Sequence, residues 1–369
     1  MFTTLVVFIL VLALIVIVHE FGHFYTARKM GVKVEEFGIG FPPKLFSIKR
    51  GETEYTINAI PLGGFVKIKG EAGENKEDPD SFAHKKVWQR ILIISAGVFM
   101  NFVLSMILFS IGFMVGSPQV VDGEENLAKV RNTKIQVLQV LENDPADLAG
   151  IKAGDEIISI DGQKMESDEV LRNYIKDNQD KELVFQLKRD GTEIEKKVTP
   201  VYLEEIDRKG VGAAFVKTGL VSYPWYYAIW KGIKYTFLLA GSIIMAFYEL
   251  IKNLILHKPT GMDVSGPVGI AVLTGKVARM GILYLLNFIA LISLNLAIIN
   301  FIPFPALDGG RVLFLIIEKI RRKPISEKIE NTIHTVGFGL LMLLVLWVTI
   351  IDVSKFKDAF INLWTKIVG

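Results

Sequence analysis

The stretch IVIVHEFGHF, residues 15–24, sets His19, Glu20 and His23 at the end of fourteen residues, Leu5 to Val18, that carry no polar side chain. The two histidines are four positions apart, so on a helix both imidazoles leave one face and can reach a single cation. Glu20 sits beside them, placed to take a proton from a water that the cation has made acidic. The same five residues could also be a polar helix end with surface histidines. Depth argues for chemistry. At about 1.5 Å per residue His19 lies roughly 20 Å into a hydrocarbon layer of about 30 Å. Ionisable groups are costly there and mark function.

Catalytic zinc usually takes three protein ligands and keeps a fourth position open. The chain has no cysteine, so disulfides and thiolate sites are excluded and the third ligand must be an imidazole or a carboxylate. The remaining histidines are His84, His257 and His334. A better candidate lies in NFIPFPALDGGRV, residues 300–312, where Pro303 and Pro305 break a helix and Asp308 follows in an apolar setting. Asp308 also suits the N-cap of a helix beginning near Gly309, and the two roles are compatible.

The elements that must position these groups are apolar. Of 369 residues, 51% are hydrophobic, and the mean hydropathy is +0.39. A net charge of +3 gives no argument for nucleic acid. Four runs approach the roughly 20 residues that cross a bilayer: Phe2–Val18, Ile91–Val115, Ile282–Ile302 and Val336–Ile351. The first lacks a basic leader and a small-residue cleavage site, so it reads as a retained anchor. Arg28, Lys29 and Lys33 follow it, and Arg321, Arg322 and Lys323 separate the last two runs. Both basic loops are expected in the cytoplasm, with both termini and the long central segment outside. Residues 235–256 are apolar but interrupted by Glu249 and Lys252. They read as an amphipathic helix lying on the membrane surface.

Two further modules differ in texture. Residues 54–70 alternate polar and apolar and then meet Gly63-Gly64, which predicts a β-hairpin turning there. Residues 118–218 are charged, with short alternating runs and a second predicted hairpin at Asp190-Gly191. Their D-P-A, A-G and G-D-x-I-x-x-I-D-G pattern resembles bacterial PDZ domains, which bind peptides by adding a strand to a sheet edge.

HEFGH in a first spanning helix, with N-x-x-P-x-P-x-L-D-G in a later one, resembles the site-2 protease family of intramembrane zinc metalloproteases, and within it the bacterial regulators of sigma-E type. RKMGVKVEEFGIGFPPKLF, IPLGGFVKIKGE, SGPVGIA and ALISLNLAIINFIPFPALDGGRV extend the likeness over nearly the whole chain. The resemblance implies Zn²⁺ held by His19, His23 and Asp308, with Glu20 as the catalytic carboxylate. It implies substrate contacts at Asn300 and at the membrane-associated hairpin (Gly63, Gly64, Phe65); Asn101 either lines the site or is structural. The Escherichia coli type carries two PDZ domains in tandem, whereas this chain has room for one.

The expected fold is therefore a polytopic α-helical membrane protein with four transmembrane helices, a membrane-associated β-hairpin and one extracytoplasmic PDZ domain. Its expected parts are 1–117, 118–218, 219–280 and 281–369. The expected activity is hydrolysis of peptide bonds inside transmembrane proteins in a bacterial cytoplasmic membrane, with the lipid bilayer and a peptide ligand of the PDZ domain as partners. A membrane-anchored protease cutting chains outside the bilayer and a silent PDZ-bearing receptor are the competing classes. The depth of HEFGH disfavours the first of these, and the intact Glu20 disfavours the second.

Overall fold

The computed structural model describes residues 2–121, 127–141, 143–179, 181–189, 191–203, 208–258, 266–323 and 325–355. Asp190 of the expected turn and Ser265 of SGPVGIA lie outside them. The chain divides into two compact units, residues 112–228 and the remainder on either side. In chain order the elements are α1 (Phe2–Lys29), β1 (Val34–Arg50), β2 (Thr53–Ile68), α2 (Val87–Val115), β3 (Ser117–Val120), β4 (Lys129–Val140), α3 (Pro145–Leu148), β5 (Glu156–Ile160), β6 (Gln163–Lys164) and α4 (Asp168–Asp177). There follow β7 (Leu183–Arg189), β8 (Thr192–Val198), β9 (Val201–Leu203), β10 (Arg208–Gly210), β11 (Ala213–Ser222), α5 (Trp225–Ile255), α6 (Pro267–Met280), α7 (Ile282–Phe301), α8 (Asp308–Arg321) and α9 (Glu327–Lys355).

Among the described residues five helices, not four, have the length and apolar character to cross a membrane: α1, α2, α5, α7 and α9. No more than 28% of the most apolar stretch of any of them is buried. Most of these stretches are left uncovered by protein, as a lipid environment allows. The unexpected one is α5. The apolar run read from Tyr235 was cut short by Glu249 and Lys252, but the helix starts ten residues earlier and is 31 residues long. It packs antiparallel along α2: Ser110 Oγ lies 3.4 Å from the Ile229 carbonyl, and Phe109 and Phe102 meet the rings of Tyr235 and Phe237. It touches α2 along this side, and only 6% of its most apolar stretch is buried.

Contacts fix which helix ends lie together. The start of α1 meets α6, since a Cβ on Gly275 would stand 2.3 Å from Thr4. The start of α6 meets the end of α9, where buried Asp352 accepts the Gly269 N–H at 2.7 Å. At the other end Arg90 of α2 pairs with Glu318 of α8 at 3.2 Å. The helices α1 and α7 thus run parallel, and α9 runs back against them.

The strands β1 and β2 form a sheet that the expected hairpin does not describe. The chain reverses at Gly51-Glu52, where Arg50 pairs with Thr53, and not at Gly63-Gly64. The first half of β1 then lies between the two halves of β2: Gly38 is paired with Phe65 on one side and Thr56 on the other. Gly63, at φ +93°, marks the break between those halves. Alternation predicts strands, but strand partners depend on contacts the pattern does not encode.

The unit 112–228 holds an antiparallel sheet ordered β3-β11-β4-β5-β7-β8, with β6 paired to β5. Ile135, Ile160, Leu171, Phe185 and Phe215 are among the side chains of its core. The expected hairpin is present, Arg189 pairing with Thr192. Buried Asp155, the aspartate of the G-D-x-I run, accepts two bonds from Arg189, Nε to Oδ1 and Nη2 to Oδ2, each 2.7 Å, and one from the Lys152 N–H at 2.8 Å. Burial works against its charge, but these donors outweigh burial and hold the carboxyl below its ordinary range. An unfolded aspartate titrates near 3.9. The stabilisation is therefore complete above that pH and is lost as pH falls through the lower, folded value. Asp155→Asn should cost about 2–3 kcal/mol at neutral pH. In thermal unfolding of the detergent-solubilised chain, the gap to the parent should hold down to about pH 5 and narrow only below about pH 4.

Candidate metal centre

His19 and His23 lie on successive turns of α1, and Asp308 opens α8. The helix begins at Asp308 itself, its N-cap is Leu307, and no side chain caps it. The capping role is thus excluded. The carboxylate points instead at the histidines, with Oδ2 at 3.1 Å from His19 Nε2 and 3.5 Å from His23 Nε2. The two Nε2 atoms are 3.2 Å apart. Zinc bonds of about 2.0–2.2 Å in tetrahedral geometry set neighbouring ligand atoms roughly 3.3–3.5 Å apart. The three atoms match one face of that tetrahedron.

Protons settle what this triangle can hold. His23 donates from Nδ1 to the Ile93 carbonyl at 2.9 Å, which leaves a lone pair on Nε2. Behind His19, the amide nitrogen of buried Asn101 stands 3.5 Å from Nδ1, and Asn101 Oδ1 has no donor. Exchanging the two amide atoms, which have the same shape, lets Nδ1–H donate to Oδ1 and satisfies both groups. His19 then also presents a bare Nε2. Asp308 Oδ2 accepts no hydrogen bond. With that exchange three lone pairs face one another, an arrangement suited to a cation. Among the described residues this is the one group of three such side chains close enough to share an ion.

The close approach of α1 and α2 makes the arrangement possible. A Cβ on Gly97 would stand 2.3 Å from His23 Nε2 and 2.8 Å from His19 Cε1, and one on Gly22 would stand 2.3 Å from the Ala96 carbonyl. Glu20, half-buried, lies on the same helix beside β2, where a Cβ on Gly64 would be 3.7 Å from its Cγ. Phe65 packs over Gly38 on the neighbouring strand. Beyond β2, Glu71 pairs with Arg311, one turn after Asp308, and ties the sheet to α8. Asn300 sits half-buried on the last turn of α7. A cavity of about 320 Å³ lies nearby, lined by Val98, Phe102, Ala240, Ala297 and Phe301 among others. Of the other histidines, His84 donates to the Lys76 carbonyl and His334 accepts from the Ala306 N–H.

A model of peptidase family M50 matches residues 7–344. The chain belongs to peptidase family M50. The zinc metalloprotease RasP of Geobacillus kaustophilus is 33% identical, with 96% of this chain and 98% of that protein covered. The regulator of sigma-W protease RasP of Bacillus subtilis is 32% identical, with 95% and 98% covered. Among solved structures, the PDZ domain of an SdrC-like protein from Listeria innocua is 28% identical over 22% of this chain and 92% of that one, with a TM-score of 0.20.

Sequence reasoning found the three converging side chains of this M50 peptidase and missed what makes room for them. Gly97 stood inside SAGVFMNF, where the run Ser95-Ala96-Gly97 is the usual sign of close helix packing in membranes. Gly97→Ala should lower zinc affinity and proteolysis together, by at least about 10-fold. Gly241→Ala on α5, where a Cβ meets nothing within 4 Å, is the matched control. Metal analysis of the two purified variants checks this, and a zinc-replete Gly97→Ala protein would contradict the packing argument.

Proposed function

We propose that the chain is an intramembrane zinc endopeptidase that cuts within the spanning segments of single-span membrane proteins. The observation that carries this reading is the convergence of His19, His23 and Asp308 beside Glu20, inside a bundle whose outer surface suits lipid. Zinc held there would polarise the scissile carbonyl and acidify the attacking water. Glu20 accepts a proton from that water as the new C–O bond forms. It returns the proton to the leaving amide nitrogen as the C–N bond breaks.

A spanning helix must unwind before its carbonyls can be attacked, and its freed N–H and C=O groups then need partners in place of water. The Gly64–Ile68 segment is paired on one side only among the described residues and runs past Glu20. We assign it, with Gly63, Gly64, Phe65 and Asn300, to the substrate backbone, and the apolar cavity to a substrate side chain. Asn101 serves His19. A protease working on chains outside the bilayer would have no need of a site walled by such helices.

Four crossings, by α1, α2, α7 and α9, fit the shared ends described above. The helix α5 starts beside the end of α2, and α6 lies by the start of α1. Those two contacts suit a start of α5 and a helix α6 on one side of the membrane. The basic residues after α1 and α8 set the opposite end in the cytoplasm, so both termini and the PDZ-like unit face outward, where that unit screens substrates by bulk. The name of the Bacillus subtilis relative, a regulator of sigma-W protease, points to membrane-bound regulators such as anti-sigma factors as the substrate class, with signal-peptide remnants beside them.

Glu20→Gln should retain zinc and lose about 10²–10⁴ in turnover, whereas Asp308→Ala should lose both metal and turnover. Cleavage of a purified single-span substrate, measured beside zinc content, separates the two. A Glu20→Gln enzyme of near-parent rate would remove Glu20 from the mechanism.

A further inference from the structure

The segment that delivers Asp308 has few ways to hold itself in place. Between α7 and α8 run Ile302 to Leu307, and two of those residues, Pro303 and Pro305, have no N–H to donate. Phe304 donates to the Ile302 carbonyl at 2.7 Å and Leu307 to the Phe304 carbonyl at 3.2 Å. Ala306, two residues before the ligand, sits at φ +76°. That left-handed conformation costs a residue with a Cβ about 1–2 kcal/mol, so its surroundings must hold it there.

What holds it comes from α9. His334 Nδ1 accepts the Ala306 N–H at 2.8 Å. An imidazole that accepts at Nδ1 is neutral, with its proton on Nε2; that atom is buried and has no partner among the described residues. Its ring packs against Phe314 of α8, centroids 5.4 Å apart. One turn further along the same face of α9, a Cβ on Gly337 would stand 2.4 Å from Pro305 Cβ and 2.8 Å from its carbonyl oxygen. Two neighbouring positions of α9 therefore clasp two neighbouring residues of the turn.

We propose that His334 is a positioning residue for the metal centre: by accepting the Ala306 N–H it fixes the left-handed turn that aims Asp308 at His19 and His23. This rests on the reading of Asp308 as a zinc ligand. His334 is bound to the turn and is not itself a ligand. It touches neither substrate nor metal, so its loss should appear in zinc affinity and kcat, with KM little changed.

The test uses the full-length protein in detergent, with zinc affinity read by chelator competition and melting followed on the zinc-free form. His334→Leu should weaken zinc about 10–100-fold, the usual effect of losing a group that orients a ligand, and lower kcat in step. His334→Asn, whose Oδ1 can take the place of Nδ1, should restore affinity to within about threefold of the parent. Ala306→Gly removes the conformational cost, so His334→Leu should lose less zinc affinity in that background than alone. Parent-like zinc affinity in His334→Leu, a His334→Asn protein as impaired as His334→Leu, or equal losses in the two backgrounds would each overturn the proposal. If His334→Leu alone fails to fold, His334→Asn decides: zinc affinity within about threefold of the parent supports the proposal, and a loss of about 10-fold or more overturns it. Asp308→Ala tells the two readings apart. If it keeps zinc, the ligand reading fails and His334 has nothing to position; if it loses zinc while His334→Leu keeps it, only the present inference fails.

Discussion

Two imidazole nitrogens and a carboxylate oxygen brought to one point in an apolar interior need a cation or a shared proton between them. His19 Nε2, His23 Nε2 and Asp308 Oδ2 stand 3.1–3.5 Å apart. In an apolar interior such electron-rich groups repel through a low dielectric that screens them poorly. Much of the helical unit follows from assembling this triangle. The Ile93 carbonyl holds the His23 proton on Nδ1, and Asn101 with its amide exchanged does the same for His19. The helices α1 and α2 approach until there is no space for a Cβ at Gly97. The third side chain, Asp308, arrives from the far end of the sequence, on a turn contacted by yet another helix.

The second constraint is the bilayer. Hydrocarbon offers no partner to a free N–H or C=O, so irregular backbone at depth must be enclosed by protein. The turn before α8 meets this condition. Two of its six residues have no donor because they are prolines, Ile302 bonds back to α7, Phe304 and Leu307 bond within the turn, and the N–H of Ala306 is taken by His334. In the sheet of β1 and β2 the Gly64–Ile68 segment pairs on one side only among the described residues. That incompleteness is where a second extended chain would fit, and it lies beside Glu20.

Legibility in the sequence followed the range of each signal. HEFGH was readable because its geometry is local: i and i+4 share a helix face whatever surrounds them. The strand pair Arg189–Thr192 and the apolar helices were readable for the same reason, as turn chemistry and length are local properties. Asp308 was found by composition, as a lone carboxylate in an apolar run, but composition left its role divided between ligand and cap. The structure starts α8 at Asp308 itself, which removes the cap, and turns the carboxylate to the histidines. The partners of β2 and the extent of α5 were misjudged because both depend on what packs against them.

The sequence by itself determined which residues could do chemistry and roughly how deep in a membrane they would lie, since residue type, helical period and apolar run length are properties of short segments. Only the tertiary structure decided that Asp308, 285 residues after His23 by their numbers, completes the triangle. It alone decided that Gly97 yields its side-chain space to the imidazoles, and that His334 grips the turn and not the metal. Each of these is a relation across the bundle. It depends on the distance between helix backbones, which is set by the packing of many side chains at once and written in no single stretch of the chain.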